Sequence, residues 1–264
     1  DKKKFSWSST LTWARNWNEV IELADGIEGQ QEIGSGGNAS IIAKVGGTTT
    51  AIYGYGFVRS PQGEIVYDSK GLPAYPDEIQ YIGDASPDWN AGLYNRFRIG
   101  NVSLNVMLDG QYGGIIYSQS HHKLVQQGKL RSTFRGREEG FIVGEGVVLN
   151  EDGTYSPNTV EAVTPDWYNR YYRRANVESN SFDASFLKLR EVSLQYQFPK
   201  DWLSGTGVRG LELSAFGRNL AVVSDFPIYD PETAALNGDT ILPGIEMGQM
   251  PSPATYGMNV KVNF

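Results

Sequence analysis

Asp183-Ala-Ser-Phe-Leu-Lys-Leu-Arg-Glu-Val-Ser-Leu-Gln-Tyr-Gln-Phe-Pro199 alternates without a break from Val192 onward. Val192, Leu194, Tyr196 and Phe198 are apolar, while Glu191, Ser193, Gln195 and Gln197 are polar. Neighbouring side chains of a strand point to opposite faces, so the pattern describes a strand with one greasy side and one wet side. Three further segments repeat it. Phe5, Trp7, Leu11 and Trp13 alternate with Ser6, Ser8, Thr10 and Thr12. Val102, Leu104, Val106 and Leu108 alternate with Asn101, Ser103, Asn105 and Asp109. Tyr256, Met258, Val260, Val262 and Phe264 alternate with Gly257, Asn259, Lys261 and Asn263. In a soluble sandwich such apolar faces pack on a second sheet; in a membrane barrel they face lipid and the polar faces line a lumen.

Composition narrows the class. The 264 residues are 40% hydrophobic and 12% aromatic, with 15 Tyr and 31 Gly, which suits an all-β chain with many turns and excludes disorder. A net charge of −7 without a long basic run argues against a nucleic-acid partner. Cysteine is absent, so structural disulfides and thiolate metal sites are excluded. No apolar run reaches the roughly 18 residues of a membrane helix, which leaves a transmembrane barrel open. Asp1-Lys-Lys-Lys-Phe5 lacks the apolar core of a signal peptide.

Seven strands are expected, at about 5–14, 20–24, 93–99, 101–110, 186–198, 210–220 and 254–264, with Phe216 interrupting the sixth. Ile99-Gly-Asn-Val102 reads as a two-residue hairpin with both central residues at positive φ. Short turns at Arg15-Asn-Trp-Asn18, at Gly100 and around Pro199 alternate with long excursions at 25–92, 111–185 and 222–253. Outer-membrane barrels show this asymmetry, whereas sandwich connections are mostly about 2–6 residues long. Seven strands cannot close a bacterial barrel, so the chain is expected to be a part of one.

These residues resemble a known family. The quoted stretch is similar to the penultimate-hairpin signature of SusC/RagA-type TonB-linked outer-membrane transporters. So are Gly217-Arg-Asn-Leu220, Tyr229-Asp-Pro-Glu232 and Pro251-Ser-Pro-Ala-Thr-Tyr256 before a final strand ending in Phe264. Ile52-Tyr-Gly-Tyr-Gly-Phe57, Ser86-Pro-Asp-Trp89 and Leu108-Asp-Gly-Gln-Tyr-Gly-Gly-Ile115 fall in the family's order. The resemblance implies an all-β fold of antiparallel transmembrane β-barrel strands with long extracellular loops. The barrel would be of the ~22-stranded plugged type, and residues 1–264 would form its C-terminal part. The plug and the N-terminal strands are expected on the same or a separate chain. The implied function is import of oligosaccharides or peptides across the outer membrane, with a SusD-like surface lipoprotein as lid and TonB acting through the plug. The C-terminus would be periplasmic. A soluble β-sandwich that binds glycans or serves adhesion is the alternative.

The resemblance and the alternation assign Val102, Leu104, Val106, Leu108, Val192, Leu194, Tyr196, Val260, Val262 and Phe264 to lipid contact. Trp13, Trp17 and Trp202, beside the expected short turns, suit an interfacial aromatic girdle. Trp167, Tyr168, Arg170, Tyr171 and Tyr172, with Arg173 and Arg174, form the densest aromatic and basic cluster. Aromatic faces stack on sugars or peptides and arginine pairs with carboxylates, so these are candidate substrate contacts; the alternative is a loop packed on itself. His121-His122 lack ligand spacing, and as neighbours on a strand they would diverge, so no metal is expected. Asp225, Asp230, Glu232 and Asp239 read as turn formers in a Pro/Gly-rich loop rather than catalytic or calcium-binding carboxylates. No catalytic motif is present, and neither enzyme activity nor a cofactor is expected.

Overall fold

A computed structural model describes residues 5–27 and 29–264; Asp1–Lys4, which precede the first strand, lie outside the described residues. Six long strands form one antiparallel sheet: β1 (Phe5–Ala14), β2 (Trp89–Ile99), β3 (Val102–Tyr112), β4 (Phe186–Gln197), β5 (Gly210–Ser224) and β6 (Thr255–Asn263). They lie side by side in chain order. The outer edges of β1 and β6 have no partner among the described residues.

Register explains the alternation. Trp7, Phe97, Leu104, Leu194, Ala215 and Met258 stand opposite one another in a row across all six strands. Phe5, Ile99, Val102, Tyr196, Leu213 and Val260 form the next row. One face is therefore apolar almost throughout. Its polar exceptions on β1 and β2 are Ser9 and Asn95, and Asn95 Oδ1 accepts a hydrogen bond from Trp7 Nε1 at 3.0 Å. The opposite face carries Ser8, Arg96, Asn105, Ser193 and Ser214. None of the ten residues assigned to lipid contact is buried, and no second sheet covers them among the described residues.

Four expectations change. The strand at 20–24 does not form; instead Val20 pairs its backbone with Gly46 and Gly47. The sheet strands number six, and 15–18 is no short turn: β1 leads directly into the first excursion. In the Gly100-Asn101 turn only Gly100 has positive φ, at 57°, the pattern of a turn with glycine first. Phe216 keeps the alternation but lies on the polar face opposite Gly257, where an added Cβ would stand 2.5 Å from its ring. The ring occupies the space glycine leaves.

All three long connections leave from one end of the sheet, because Ala14 pairs with Asn90, Trp89 with Tyr112, and Phe186 with Ser224. The Gly100 turn, the 3-10 turn Lys200–Leu203 and Phe264 lie at the other end. Trp202 accordingly sits at the short-turn end and Trp13 at the long end, so the tryptophans do not share one rim.

The excursions are not separate loops. The first folds into a four-stranded sheet of Gln30–Gly36, Ala39–Lys44, Ala51–Gly54 and Gln80–Asp84. The second carries α1 (Gln119–Gln126) and α2 (Thr164–Tyr171). Its strand Ile115–Ser118 pairs with Ser181–Asp183 and with Ile245–Glu246 of the third excursion. One core draws on all three: Ile41 and Ile52, Tyr117 and Val177, and Ala235, Leu242 and Ile245. A buried carboxylate fastens two of them. Glu246 accepts hydrogen bonds from Ser118 Oγ (2.5 Å), Ser120 Oγ (2.6 Å) and Ser120 N (3.2 Å) at the start of α1, where the helix leaves N–H groups unpaired. The excursions make a single cap.

Candidate functional site

The polar face of the sheet and the cap meet at a charge cluster. Between Leu189 and Glu191 the register against β3 shifts, so Arg190 is an extra residue in β4 there, while β5 bulges at Asn219-Leu220 opposite it. Such a bulge re-aims side chains. Lys188 and Arg190 both reach the polar side. Lys188 Nζ donates to Asp230 and Glu232 of the third excursion. Arg190 donates to Glu232 and, through Nε and Nη2, to Asp109 Oδ2 of β3 at 3.0 and 2.6 Å. Asp230 also receives the backbone N–H groups of Glu232 at 3.1 Å and Ser252 at 3.2 Å. Burial pushes the Asp230 carboxyl up, but the bonds from Lys188 and the two N–H groups outweigh it and hold it below the usual range. Glu232 follows the same logic, with Arg190 and Lys188 as its donors.

Lys188 and Asp230 are both buried, so neither can be neutralised alone without stranding a charge; losing one partner of such a pair costs about 3–5 kcal/mol. The expectation that Asp230 and Glu232 only form a turn is thus incomplete, since they bind the cap to the sheet. Their partners Lys188 and Arg190 were missed. The signal was the spacing: Leu187 and Leu189 are two apart, then Leu189 and Val192 three apart, a phase break that marks the bulge.

Farther along the polar face, Tyr94 Oη donates to Asn105 Oδ1, and Asn105 Nδ2 to Ser193 Oγ, both at 2.9 Å. Arg218 Nε pairs with Glu191 at 2.8 Å across β4 and β5. The face is a hydrogen-bonded polar surface. On the opposite face near the cap, Ala91 and Gly110 leave a groove of about 530 Å3 beside Leu11, Leu93, Leu108 and Leu187.

The aromatic cluster is assembled as expected but faces inward. Trp167 stacks on Tyr171 with centroids 4.5 Å apart, and Tyr168 meets Trp167 edge-on at 5.2 Å. Trp167 and Tyr168 are buried with Val125, Ile142 and Ala162, and Tyr171 and Tyr172 pack against them. Tyr168 Oη donates to the carbonyls of Ser132 (2.8 Å) and Arg135 (3.2 Å). These rings spend their surface on each other. Burial pushes the Tyr172 hydroxyl up to about 12, so it stays protonated at neutral pH. Arg170 and Arg173 remain partly exposed, and both guanidinium groups lie 3.9 Å from the Tyr75 ring.

His121 and His122 lie on α1 rather than on a strand. His121 Nδ1 bonds Asn180 Oδ1 at 2.9 Å, and His122 Nδ1 donates to the Tyr172 carbonyl at 2.7 Å. Burial, more than any neighbouring charge, lowers both imidazole pKa values. Among the described residues no group of three His, Asp or Glu side chains converges on a common point.

No family model matches the chain. It is 23% identical to TonB-dependent receptor P3 and 25% identical to TonB-dependent receptor P26, both of Formosa agariphila, each match covering 98% of this chain. The chain spans 27% of the length of each of these relatives. Among solved structures, that of the RagAB peptide transporter superposes with a TM-score of 0.68 at 15% identity, covering all of this chain and 28% of the other. The RagAB peptide importer in the 'closed-closed' state gives 0.67 at 14% identity, with the same coverage. These proteins are named as receptors, transporters or importers, and none as an enzyme. In sequence, then, the chain is similar to TonB-dependent receptors over part of their length, and in fold its six-stranded sheet and cap are similar to a portion of the RagAB transporter structure.

Proposed function

We propose that this chain supplies part of the wall and outer cap of an outer-membrane transporter that imports oligosaccharides or peptides. The observation that carries the reading is the apolar face across six strands, interrupted only by Ser9 and Asn95 on β1 and β2 and left exposed while the cap buries a core of its own. In water such a face would demand a covering layer; in a bilayer, lipid is the cover. Val102, Leu104, Val106, Leu108, Val192, Leu194, Tyr196, Val260, Val262 and Phe264 then contact lipid. The polar face turns to the lumen, where a plug from the remainder of the barrel would lie. The cap end is extracellular, toward a SusD-like lipoprotein, and Phe264 is periplasmic. Energy enters through TonB at the plug. In hydrocarbon each unpaired edge group costs several kcal/mol, so β1 and β6 pair with further barrel strands.

Import is tested by disrupting the coding region and following uptake of labelled oligosaccharides and peptides by intact cells. Loss of uptake restored by complementation supports the reading; unchanged uptake of every cargo class contradicts it.

A further inference from the structure

On the cap, α1 and the end of α2 enclose a pocket of about 450 Å3 lined by His122, Lys123, Gln126, Asn169, Arg173 and Arg174, with Tyr168 and Tyr172 in its wall. Three permanent cations line it and no carboxylate does. Elsewhere in the chain the strongly bonded cations Lys188, Arg190 and Arg59 each face an acid directly. Here Arg174 makes neither a salt bridge nor a side-chain hydrogen bond to a described residue, and Lys123 reaches only the neutral Gln126, at 3.3 Å. Arg173 is held in place by stacking on Tyr75 rather than by an anion.

A second observation points the same way. His122 is 5% exposed, and its Nδ1 is committed to the Tyr172 carbonyl. Nε2 is then the ring nitrogen left for the pocket, and it bonds to no described residue. Burial lowers the pKa of this imidazole most, the bond to Tyr172 opposes it, and the charges of Lys123 and Arg174 lower it further. Tyr168, Tyr172, Asn169 and Arg173 complete the lining around it. An anion placed among them relieves the mutual repulsion of the cations and turns Nε2 into a donor by favouring its protonation.

We propose that this pocket holds a carboxylate of the cargo, gripped by Arg174, Arg173 and Lys123, with the His122 imidazole as a fourth donor. The proposal rests on the import reading above and adds a cargo class to it. Guanidinium matches a carboxylate's geometry, and a charge-assisted bond contributes more than a neutral one. A peptide C-terminus and a uronic acid share this chemistry, and the test separates them.

The protein is purified from membranes in detergent with every chain it is joined or bound to. Trialanine, its C-terminal amide, digalacturonate and its neutral methyl ester are titrated calorimetrically. The His122 ring is followed by NMR, identified by its loss in His122→Gln. At least one carboxylate probe is expected to bind about tenfold more tightly than its neutral counterpart. The same probe should raise the His122 pKa, and Arg174→Gln should weaken it about tenfold. Arg174 is exposed and unbonded, so this variant keeps the fold; unchanged thermal unfolding checks that. Binding of trialanine alone makes the cargo peptidic, binding of digalacturonate alone makes it a uronic saccharide, and either supports the pocket. Equal binding of acid and neutral forms, or a His122 pKa unmoved by every probe, overturns it. Uptake by cells carrying Arg174→Gln is measured in parallel. Wild-type uptake with unaltered affinity removes the pocket and leaves import standing, while uptake that survives gene disruption removes import and leaves the binding result standing.

Discussion

The sheet and the cap are made from similar apolar residues and use them in opposite ways. In the cap, Ile41, Ile52 and Ile245 are at most 1% exposed, each packed by residues from other excursions. In the sheet, Leu11 is 70% exposed, Leu194 53% and Val260 65%, all on one face. The cap has an apolar core of its own, drawn from all three excursions. The sheet is half of an interface whose other half is a solvent. Apolar burial thus stabilises the cap from within, whereas the sheet depends on backbone pairing and on what surrounds it.

The comparison is broken most severely at the junction. Replacing Lys188 with Met leaves the buried Asp230 without its cation, at a cost of about 3–5 kcal/mol. The loss should be local: hydrogen exchange should accelerate at 225–254 and stay slow in β3 and β4. Lys188→Met combined with Asp230→Asn should recover much of the protection. Uniform acceleration across both regions would mean that sheet and cap are one cooperative unit.

Packing gives a smaller contrast. A Cβ at Gly54 in the cap would stand 2.3 Å from Val177 Cγ2, so Gly54→Ala should cost about 1–3 kcal/mol by thermal unfolding. At Gly210 in the sheet the nearest atom is the Asn263 side-chain amide at 3.1 Å, which can swing away. Gly210→Ala should therefore be close to neutral, and equal losses at the two sites would erase the distinction. Asn219, at φ 52°, holds a left-handed conformation in β5 where the sheet bulges. Asn219→Ala should cost about 1 kcal/mol and Asn219→Gly less.

Acid should separate the two regions by degree. His121 and His122 have folded pKa values below the ordinary 6.5, so the unfolded cap binds protons more readily than the folded one. Their contribution is fully present above pH 6.5 and is lost as pH falls through the lowered values. Asp230 and Glu232, also depressed, keep their contribution above the ordinary carboxylate range and lose it only at lower pH. Near-ultraviolet circular dichroism of the cap tyrosines should therefore decline in two stages on acidification. His121→Gln and His122→Gln should blunt the first stage.

How much the sequence disclosed follows the same division. All six sheet strands, and the lopsided connections, were legible because strands of nine or more residues with one solvent per face leave a sustained period of two. Val20, Ile21 and Leu23 misled because three apolar residues in four carry no period at all; Val20 is buried beneath the cap and Ile21 is exposed. The cap's architecture was hidden because its core takes one or two residues from each of many short pieces. Ile41 and Ile52 could be read as strand fragments, but nothing near Val177 or Ala235 announces that they meet. The aromatic and basic character at 167–174 was visible, yet sequence cannot tell which side of α2 faces inward, and the rings took the core while the arginines kept the surface. The charge cluster joining sheet and cap escaped because Lys188 and Arg190 flank the bulge that interrupts the alternation just before its clean part begins.

The central claim is that the exposed apolar face meets lipid, and site-directed spin labelling tests it most directly. Labels at 102, 104, 106, 194 and 260 are compared with labels at 103, 105 and 193 in the membrane-embedded protein. The account predicts that the first set is relaxed by oxygen, which concentrates in the bilayer, and shielded from a water-soluble nickel chelate, with the reverse at the second set. Ready access of the nickel chelate to the first set, or shielding of those positions from both reagents as in a sandwich core, would contradict it.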